Sequence, residues 1–503
     1  MLTYVVAFLI ALAVAAVLTP LVTAIAHRLH LFDIPDQIRK VHVRAVPRLG
    51  GIAVVLAFLC AIAGLYALPF GRGAVSAALF ADSTMAYAFA VGALAIVALG
   101  VYDDLRGASA KLKFAVQISV AVAMWGAGFR VEHIGGSVGV SIDLGLLSLP
   151  ITVIWIVGVV NAVNLIDGLD GLASGIALTA ALVLFGVAIV NGEVLLAVIM
   201  AALAGSLVGF LFFNFNPARI FLGDSGSLFL GFVLAVTSIW TQQKAPTAAA
   251  ITLLPLFALA VPLLDTTLCI VRRVSRGQSP FSPDREHLHH RLMTLGLSHK
   301  GAVLTLYAVA ALFALVGLEM LDTDPTRRTI AIGAAFVLGA LLIRRVGLFG
   351  AWPPAGHEVL TRAHNAATVI RRSANLDTAW REVAGVLPAI GCEEARLTVS
   401  AGKYPRRELS WCIDDREDSG ELVVPSKDHA LVRLAFGKRA GTRGELVLIL
   451  DDAEETPPMR AAYRRALKSL HQALNDVAAA QEQVPARLPW ISDRRATQRA
   501  LLD

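Results

Sequence analysis

Charge is scarce in this chain. Only 16 % of its 503 residues are Asp, Glu, Lys or Arg, while 56 % are hydrophobic; soluble proteins carry roughly 25 % charged residues. The deficit is local: 22 basic and 17 acidic residues lie in 1–350, against 22 and 21 in 351–503. A single soluble globular domain and a disordered chain are both excluded. Cysteine is scarce too. Cys60, Cys269, Cys392 and Cys412 form no CxxC or other ligand spacing, which argues against a disulfide framework or a structural zinc site. Basic runs are missing from the apolar part. Its Lys and Arg stand singly in short loops, so no nucleic-acid partner is expected. No Lys or Arg precedes His27 and Arg28, so the first apolar run lacks the basic start of a signal peptide and reads as a membrane span.

What is present is a series of apolar runs. A helix needs roughly 20 apolar residues to cross a bilayer core. That yardstick places spans near 2–25, 49–69, 85–102, 112–128, 148–164, 172–190, 194–213, 225–242, 249–271, 301–320 and 329–347. Eleven spans with the N-terminus outside put 17 Lys and Arg of residues 1–350 in inner loops and five in outer loops. Basic loops stay in the cytoplasm, so the odd count leaves the tail cytoplasmic. Acidic residues sort the same way. Asp33, Asp36, Asp103, Asp104, Asp167, Asp170, Asp224, Asp265, Asp284 and Glu286 all fall on or near the inner side. Carboxylates brought together repel unless a cation joins them, so one shared site is expected.

Five inner stretches carry chemistry. Arg39, Lys40 and His42, ahead of Pro47-Arg-Leu-Gly-Gly51, can hold a phosphate or simply anchor the loop inside. Asp103-Asp104, followed by Lys111 and Lys113, suits Mg²⁺ binding or proton abstraction, and equally a helix cap. Asn161, Asn164 and Asp167 recur every third residue and share a helix face. Asp170 continues that series between Gly168 and Gly171. Four such polar groups beside a lipid-facing run are costly unless they bind something; the bland alternative is a cap and turn. Asn214 precedes Gly223-Asp224-Ser225-Gly226, where the glycines clear space and a helix N-terminus favours anions. His287, His289, His290 and Arg291 form a cationic group suited to a diphosphate, or one face of an interfacial helix.

Taken together, these stretches resemble the polyprenyl-phosphate N-acetylhexosamine-1-phosphate transferases, of the glycosyltransferase 4 type. The closest pattern is that of the undecaprenyl-phosphate N-acetylglucosamine-1-phosphate transferases; the phospho-MurNAc-pentapeptide transferases of peptidoglycan synthesis are relatives. The resemblance covers about residues 1–348. It implies a multi-pass protein of the bacterial inner membrane with a cytoplasmic site. It further implies transfer of a sugar-1-phosphate, GlcNAc-1-phosphate first, from a UDP-N-acetylhexosamine to a polyprenyl phosphate, with release of UMP. Such a step initiates cell-envelope polysaccharides, among them cell wall polymers and lipopolysaccharide O-antigen. The resemblance also implies Mg²⁺, with Mn²⁺ as an alternative ion. Residue by residue, Asp224 is expected as the metal ligand with Asn164 beside it. Asp103, Asp104, Asp167 and Asp170 form the catalytic acidic cluster. Arg39, Lys40, His42, Lys113, Asn161, Asn214, His287, His289, His290 and Arg291 bind substrates. Leu288 interrupts the histidine run, unlike the three successive histidines of the MurNAc-pentapeptide branch.

Residues 349–503 read as a separate α+β domain. Helical periodicity over 358–388 precedes strand-like runs at 395–400, 408–413, 420–425, 430–436 and 444–450, then a helix near 457–480. The order is loosely similar to a GAF-type sensor fold; a dimerisation module fits equally, and a homodimer is among the expected assemblies. The expected architecture is thus an all-α polytopic membrane protein with a cytoplasmic α+β tail. The rival class is a secondary transporter, whose acids sit at mid-membrane in inverted repeats; here they sit at inner loop ends.

Overall fold

The computed structural model describes residues 1–29, 31–33, 46–68, 82–135, 141–244, 254–275, 287–294, 297–319 and 324–345 of the apolar part, with 73 and 77. In the tail it describes 363, 366–367, 369–370, 376–387, 392–401, 407–412, 429–437, 442–451 and 466–475. Arg39, Lys40, His42 and the run 420–425 lie outside the described residues. The chain divides into two compact units, Met1–Val346 and Gly347–Asp503.

The first unit contains the helices α1 (Leu2–Arg28), α2 (Gly50–Ala67), α3 (Ser83–Arg106), α4 (Ala110–Gly126), α5 (Ser148–Ile166), α6 (Leu172–Val190), α7 (Val194–Asn214), α8 (Gly223–Lys244), α9 (Leu254–Ala258), α10 (Ala260–Ser275), α11 (Leu288–Thr294), α12 (His299–Leu318) and α13 (Pro325–Arg345). Two short antiparallel ladders join loops. Strands β1 (Phe32–Asp33) and β2 (Val46–Pro47) form one, β3 (His133–Gly135) and β4 (Ser141–Asp143) the other.

Among the described residues, eight helices are long and apolar enough to cross a membrane: α1, α2, α3, α5, α6, α7, α8 and α12. The protein is polytopic. Three expected spans take other forms. The run at 112–128 is the 17-residue helix α4. The run at 249–271 is broken between α9 and α10. Pro262 supplies the reason, because it has no N–H for the carbonyl of Ala258 and its ring crowds that turn. The run at 329–347 lies in α13, whose apolar stretch is only Thr329–Leu342, bracketed by Arg327, Arg328, Arg344 and Arg345.

Packing follows membrane rules. Helix α1 buries Ala7, Ala11, Ala15 and Ala26 and exposes Val5, Leu9, Val17, Leu21 and Ile25. Small residues inward and large apolar ones outward is what lipid as solvent favours. Across from them, a Cβ on Gly205 would stand 2.2 Å from the Phe8 carbonyl oxygen and one on Gly209 2.5 Å from that of Leu12. Backbone therefore meets backbone along α1 and α7. Helices α7 and α8 are the most enclosed, with Phe210, Leu228, Phe229, Phe232 and Trp240 all buried.

In the tail, helix α14 (Leu376–Ala384) precedes strands β5 (Cys392–Ala401), β6 (Arg407–Cys412), β7 (His429–Gly437) and β8 (Thr442–Asp451). They form one antiparallel sheet in the order β6-β5-β8-β7. Its core joins Leu397, Leu446 and Leu448 to Ile370, Trp380, Val383, Leu387, Leu467 and Leu470.

Candidate active site

The site begins with glycines that let helix ends meet. The amides of Gly50 and Gly51 donate to the carbonyls of Phe221 (2.9 Å) and Leu222 (2.7 Å), and the amide of Phe221 donates to that of Pro47 (2.8 Å). This stitches the start of α2 to the approach to α8. A Cβ on Gly51 would meet Gly226 N at 2.1 Å, and one on Gly100 would meet Ser225 Cα at 2.5 Å. Gly223 has φ +72, left-handed backbone that glycine enters without strain. The N-terminus of α8 is thus wedged between α2 and α3.

Asp104 caps that terminus. Its two carboxylate oxygens accept from the amides of Asp224 (2.8 Å) and Ser225 (3.0 Å), two of the N–H groups a helix start leaves open. Asp103, next in the chain, faces the other way and forms an ion pair with Lys113. The same ammonium lies 2.6 Å from Asp224 Oδ2. Asn164 donates to Asp224 Oδ1 (3.1 Å) and to Ser227 Oγ (2.9 Å). One turn deeper, Asn161 donates to Gln117 Oε1 at 2.6 Å. Asp103, Lys113, Asn164 and Asp224, from α3, α4, α5 and α8, therefore converge on one point. Asp224 keeps 30 % of its side chain exposed, so a ligand can reach it.

Asp167 follows α5 and completes the acidic wall. Burial, then the charges of Asp224, Asp104 and Asp170, push its carboxyl up to about 8. No hydrogen bond to that carboxylate exists among the described residues. Asp170, three residues on, is different. Its carboxylate accepts from Asn216 Nδ2 (2.7 Å) and the amide of Ala218 (3.0 Å), while its own amide donates to His299 Nε2 (2.9 Å). It pins the 216–218 loop. Asn214 is likewise engaged inside: its Oδ1 accepts from Ser174 (2.9 Å) and its Nδ2 donates to Ile220 O (3.0 Å). Tyr307 donates to the carbonyl of Gly171 (2.5 Å) and packs on Gly175, where a Cβ would stand 2.0 Å from its ring.

The histidine helix α11 docks on the same turn. A Cβ on Gly168 would lie 2.5 Å from His289 Nε2. His289 is buried with neither ring nitrogen partnered among the described residues; burial and the neighbouring His290 and His287 hold it well below the ordinary imidazole range. The rings of His287 and His289 stack at 5.7 Å, and His290 tilts against His289 at 4.3 Å. Arg291 is fully buried.

The donor set suits a hard divalent cation. Mg²⁺ takes carboxylate, amide and water oxygens, and the Lys113 ammonium stands between two carboxylates where a cation is wanted. Sequence reasoning passed over three residues that shape the site. No sequence motif marks Gln117, His299 or Tyr307. The available signal was a polar ring inside the apolar run 302–318.

Comparison with known proteins gives the family. Residues 85–242 match the model for glycosyl transferase family 4. The chain is 38 % identical over 316 residues to a Bacillus subtilis (strain 168) protein named a probable undecaprenyl-phosphate N-acetylglucosaminyl 1-phosphate transferase, covering 63 % of this chain and 84 % of that one. It is 36 % identical to a decaprenyl-phosphate N-acetylglucosaminephosphotransferase of Mycolicibacterium smegmatis, covering 64 % and 82 %. It is 32 % identical to an undecaprenyl-phosphate alpha-N-acetylglucosaminyl 1-phosphate transferase of Haemophilus influenzae, covering 63 % and 86 %.

Proposed function

We propose, on the premise that the chain belongs to glycosyl transferase family 4, that it moves GlcNAc-1-phosphate from UDP-GlcNAc to undecaprenyl phosphate and releases UMP. The observation that carries this reading is the meeting of Asp103, Lys113, Asn164 and Asp224 at one set of helix ends. The relatives' names favour GlcNAc over a MurNAc-pentapeptide donor. A transporter would hold its acids at mid-membrane; here Asp103, Asp104 and Asp224 sit at helix termini.

In the reaction, an oxygen of the lipid phosphate bonds to the β-phosphorus of the donor. The bond from that phosphorus to the bridging oxygen breaks, and UMP leaves with the electron pair. Asp224, with Asn164 and Asp167 beside it, would hold Mg²⁺, and the ion would supply charge neutralisation of the diphosphate. The chain's own groups do the rest. Lys113 holds a phosphate by charge. A phosphate monoester's second pKa is about 6, so the attacking oxygen is largely deprotonated at neutral pH, and Asp103 orients Lys113 and the acceptor. Asp104 holds the α8 terminus in place. Helix α11, which carries His289, His290 and Arg291 against the Asp167–Gly168 turn, is the element proposed to meet the donor's phosphates. Arg39, Lys40 and His42, assigned to substrate binding by the resemblance, are further candidates for holding a phosphate. With the N-terminus outside, as the Lys and Arg bias of the loops favours, this end of the bundle faces the cytoplasm of a bacterial inner membrane.

The test is purified full-length protein in detergent with undecaprenyl phosphate, Mg²⁺ and a panel of UDP-sugars, with UMP release as the readout. UMP is expected only with UDP-GlcNAc and only when the lipid is present. UMP release without lipid, or none with any UDP-sugar, contradicts the reading.

A further inference from the structure

A second cluster of titratable groups lies beside the site, on α10 and at the start of α11. Asp265 is buried, at 2 % exposure. Its Oδ2 lies 2.9 Å from His287 Nδ1, and its Oδ1 accepts from the amide of Leu288 at 2.7 Å. Leu288 is the first residue of α11, so the second bond caps one of the N–H groups the helix start leaves open. His287 supplies the flanking carbonyl, which accepts from the amide of Arg291 at 3.0 Å. Both oxygens of one carboxylate thus hold the origin of the helix that carries His289, His290 and Arg291.

The same three side chains, Asp265, Cys269 and His287, offer donor atoms within 4.8 Å of one another. A metal is disfavoured by what surrounds them. Arg272 donates to Cys269 Sγ at 2.9 Å, placing a guanidinium charge where a metal would need the sulfur. The Asp265–His287 contact is a direct hydrogen bond. Burial alone would push His287 down; the bond to Asp265 and the contact with Cys269 lift it to about 10.

We propose that Asp265 is a positioning residue, which fixes α11 against the Asp167–Gly168 turn, and that His287 is part of this strut and not a substrate ligand. The consequence at the site is geometric. With the strut in place, the His289 ring lies on Gly168, too close for any side chain there. Without it, α11 has only seven residues, too few to keep its own place, since short helices are marginal without tertiary support.

The test uses the full-length protein in detergent and has two readouts. Hydrogen exchange of the 287–294 peptide does not depend on turnover. Asp265→Ala and His287→Ala are each expected to speed that exchange at least tenfold. His287→Asn, whose amide nitrogen can stand where Nδ1 stood, is expected to keep exchange near the wild-type rate. Activity, which rests on the function proposed above, gives the second readout. His287→Asn should retain at least ten times the kcat/KM of His287→Ala. The Asp265→Ala/His287→Ala double variant should lose no more than about threefold beyond the worse single, because the contact that His287→Ala removes is already lost in Asp265→Ala. Wild-type protein that releases no UMP would fault the function and leave the exchange result to decide the strut. If Asp265→Ala fails to fold, the pair of His287 variants decides alone. Unchanged exchange in all three variants, His287→Asn as damaged as His287→Ala, or one equivalent of zinc in wild-type protein that vanishes in Asp265→Ala would overturn the proposal.

Discussion

Asp167 and Asp170 stand three residues apart in one glycine-rich turn, yet they live in opposite circumstances. Asp170 spends its carboxylate on Asn216 and the amide of Ala218, and its amide on His299. Asp167 faces Asp104 and Asp224, with burial and their charge raising its pKa. One region of the site is complete in itself; the other holds crowded carboxylates whose repulsion a proton or a bound cation relieves. Framework and function are therefore separated by bonding, not by position in the motif.

The comparison can be broken most forcefully at Asp224. Asp224→Asn is expected to lower turnover on the order of a thousandfold, the scale seen when a preorganised electrostatic group is removed, and to raise the Mg²⁺ concentration needed for half-maximal UMP release. Wild-type activity with unchanged Mg²⁺ dependence would remove Asp224 from the ion site. Lys113→Met comes next, with a loss of about a hundredfold that falls chiefly on KM, read from steady-state UMP release.

Asp170→Asn sharpens the contrast from the framework side. It weakens charge-assisted bonds to Asn216 and Ala218, so a stability loss of about 1–3 kcal/mol is expected. Turnover per folded molecule should fall by less than about tenfold, well short of the loss expected at Asp224. Thermal unfolding alongside activity of the soluble fraction checks both halves.

The last effect concerns Asp167 and pH. Its pKa of about 8 in the folded protein lies above the roughly 3.9 of an unfolded chain. The folded state then binds more protons between these values, and stability falls as pH rises through that window. Melting in EDTA should drop from pH 5 to pH 8, Asp167→Asn should flatten the drop, and Mg²⁺ should oppose it. A pH-independent melting temperature would contradict the crowding of carboxylates.

Much of this was legible in the residues. Apolar length alone locates the helices, because lipid demands a continuous hydrogen-bonded segment. Pro262 breaks one of them in a way that counting apolar residues cannot register. The charged residues of the site were legible from type and from their place at the ends of apolar runs. Their division of labour was not. Asp104 and Asp103 are neighbours, and only the arrival of α8 makes one a cap and the other an ion-pair partner of Lys113. The resemblance makes Asn214 a substrate-binding residue; its bonds to Ser174 and Ile220 O were not legible, because that with Ser174 joins helices forty residues apart in sequence. His299 and Tyr307 were invisible because nothing local distinguishes a polar ring that meets a loop 129 or 136 residues away.

The central claim is that separate helix ends build one divalent-cation pocket around Asp224. Its most direct test is a Mn²⁺ titration followed by electron paramagnetic resonance, with wild-type protein and Asp224→Asn, each with UDP-GlcNAc. One bound Mn²⁺ per wild-type chain, displaced by excess Mg²⁺ and lost in the variant, is the predicted result. Equal Mn²⁺ binding by both proteins would contradict it.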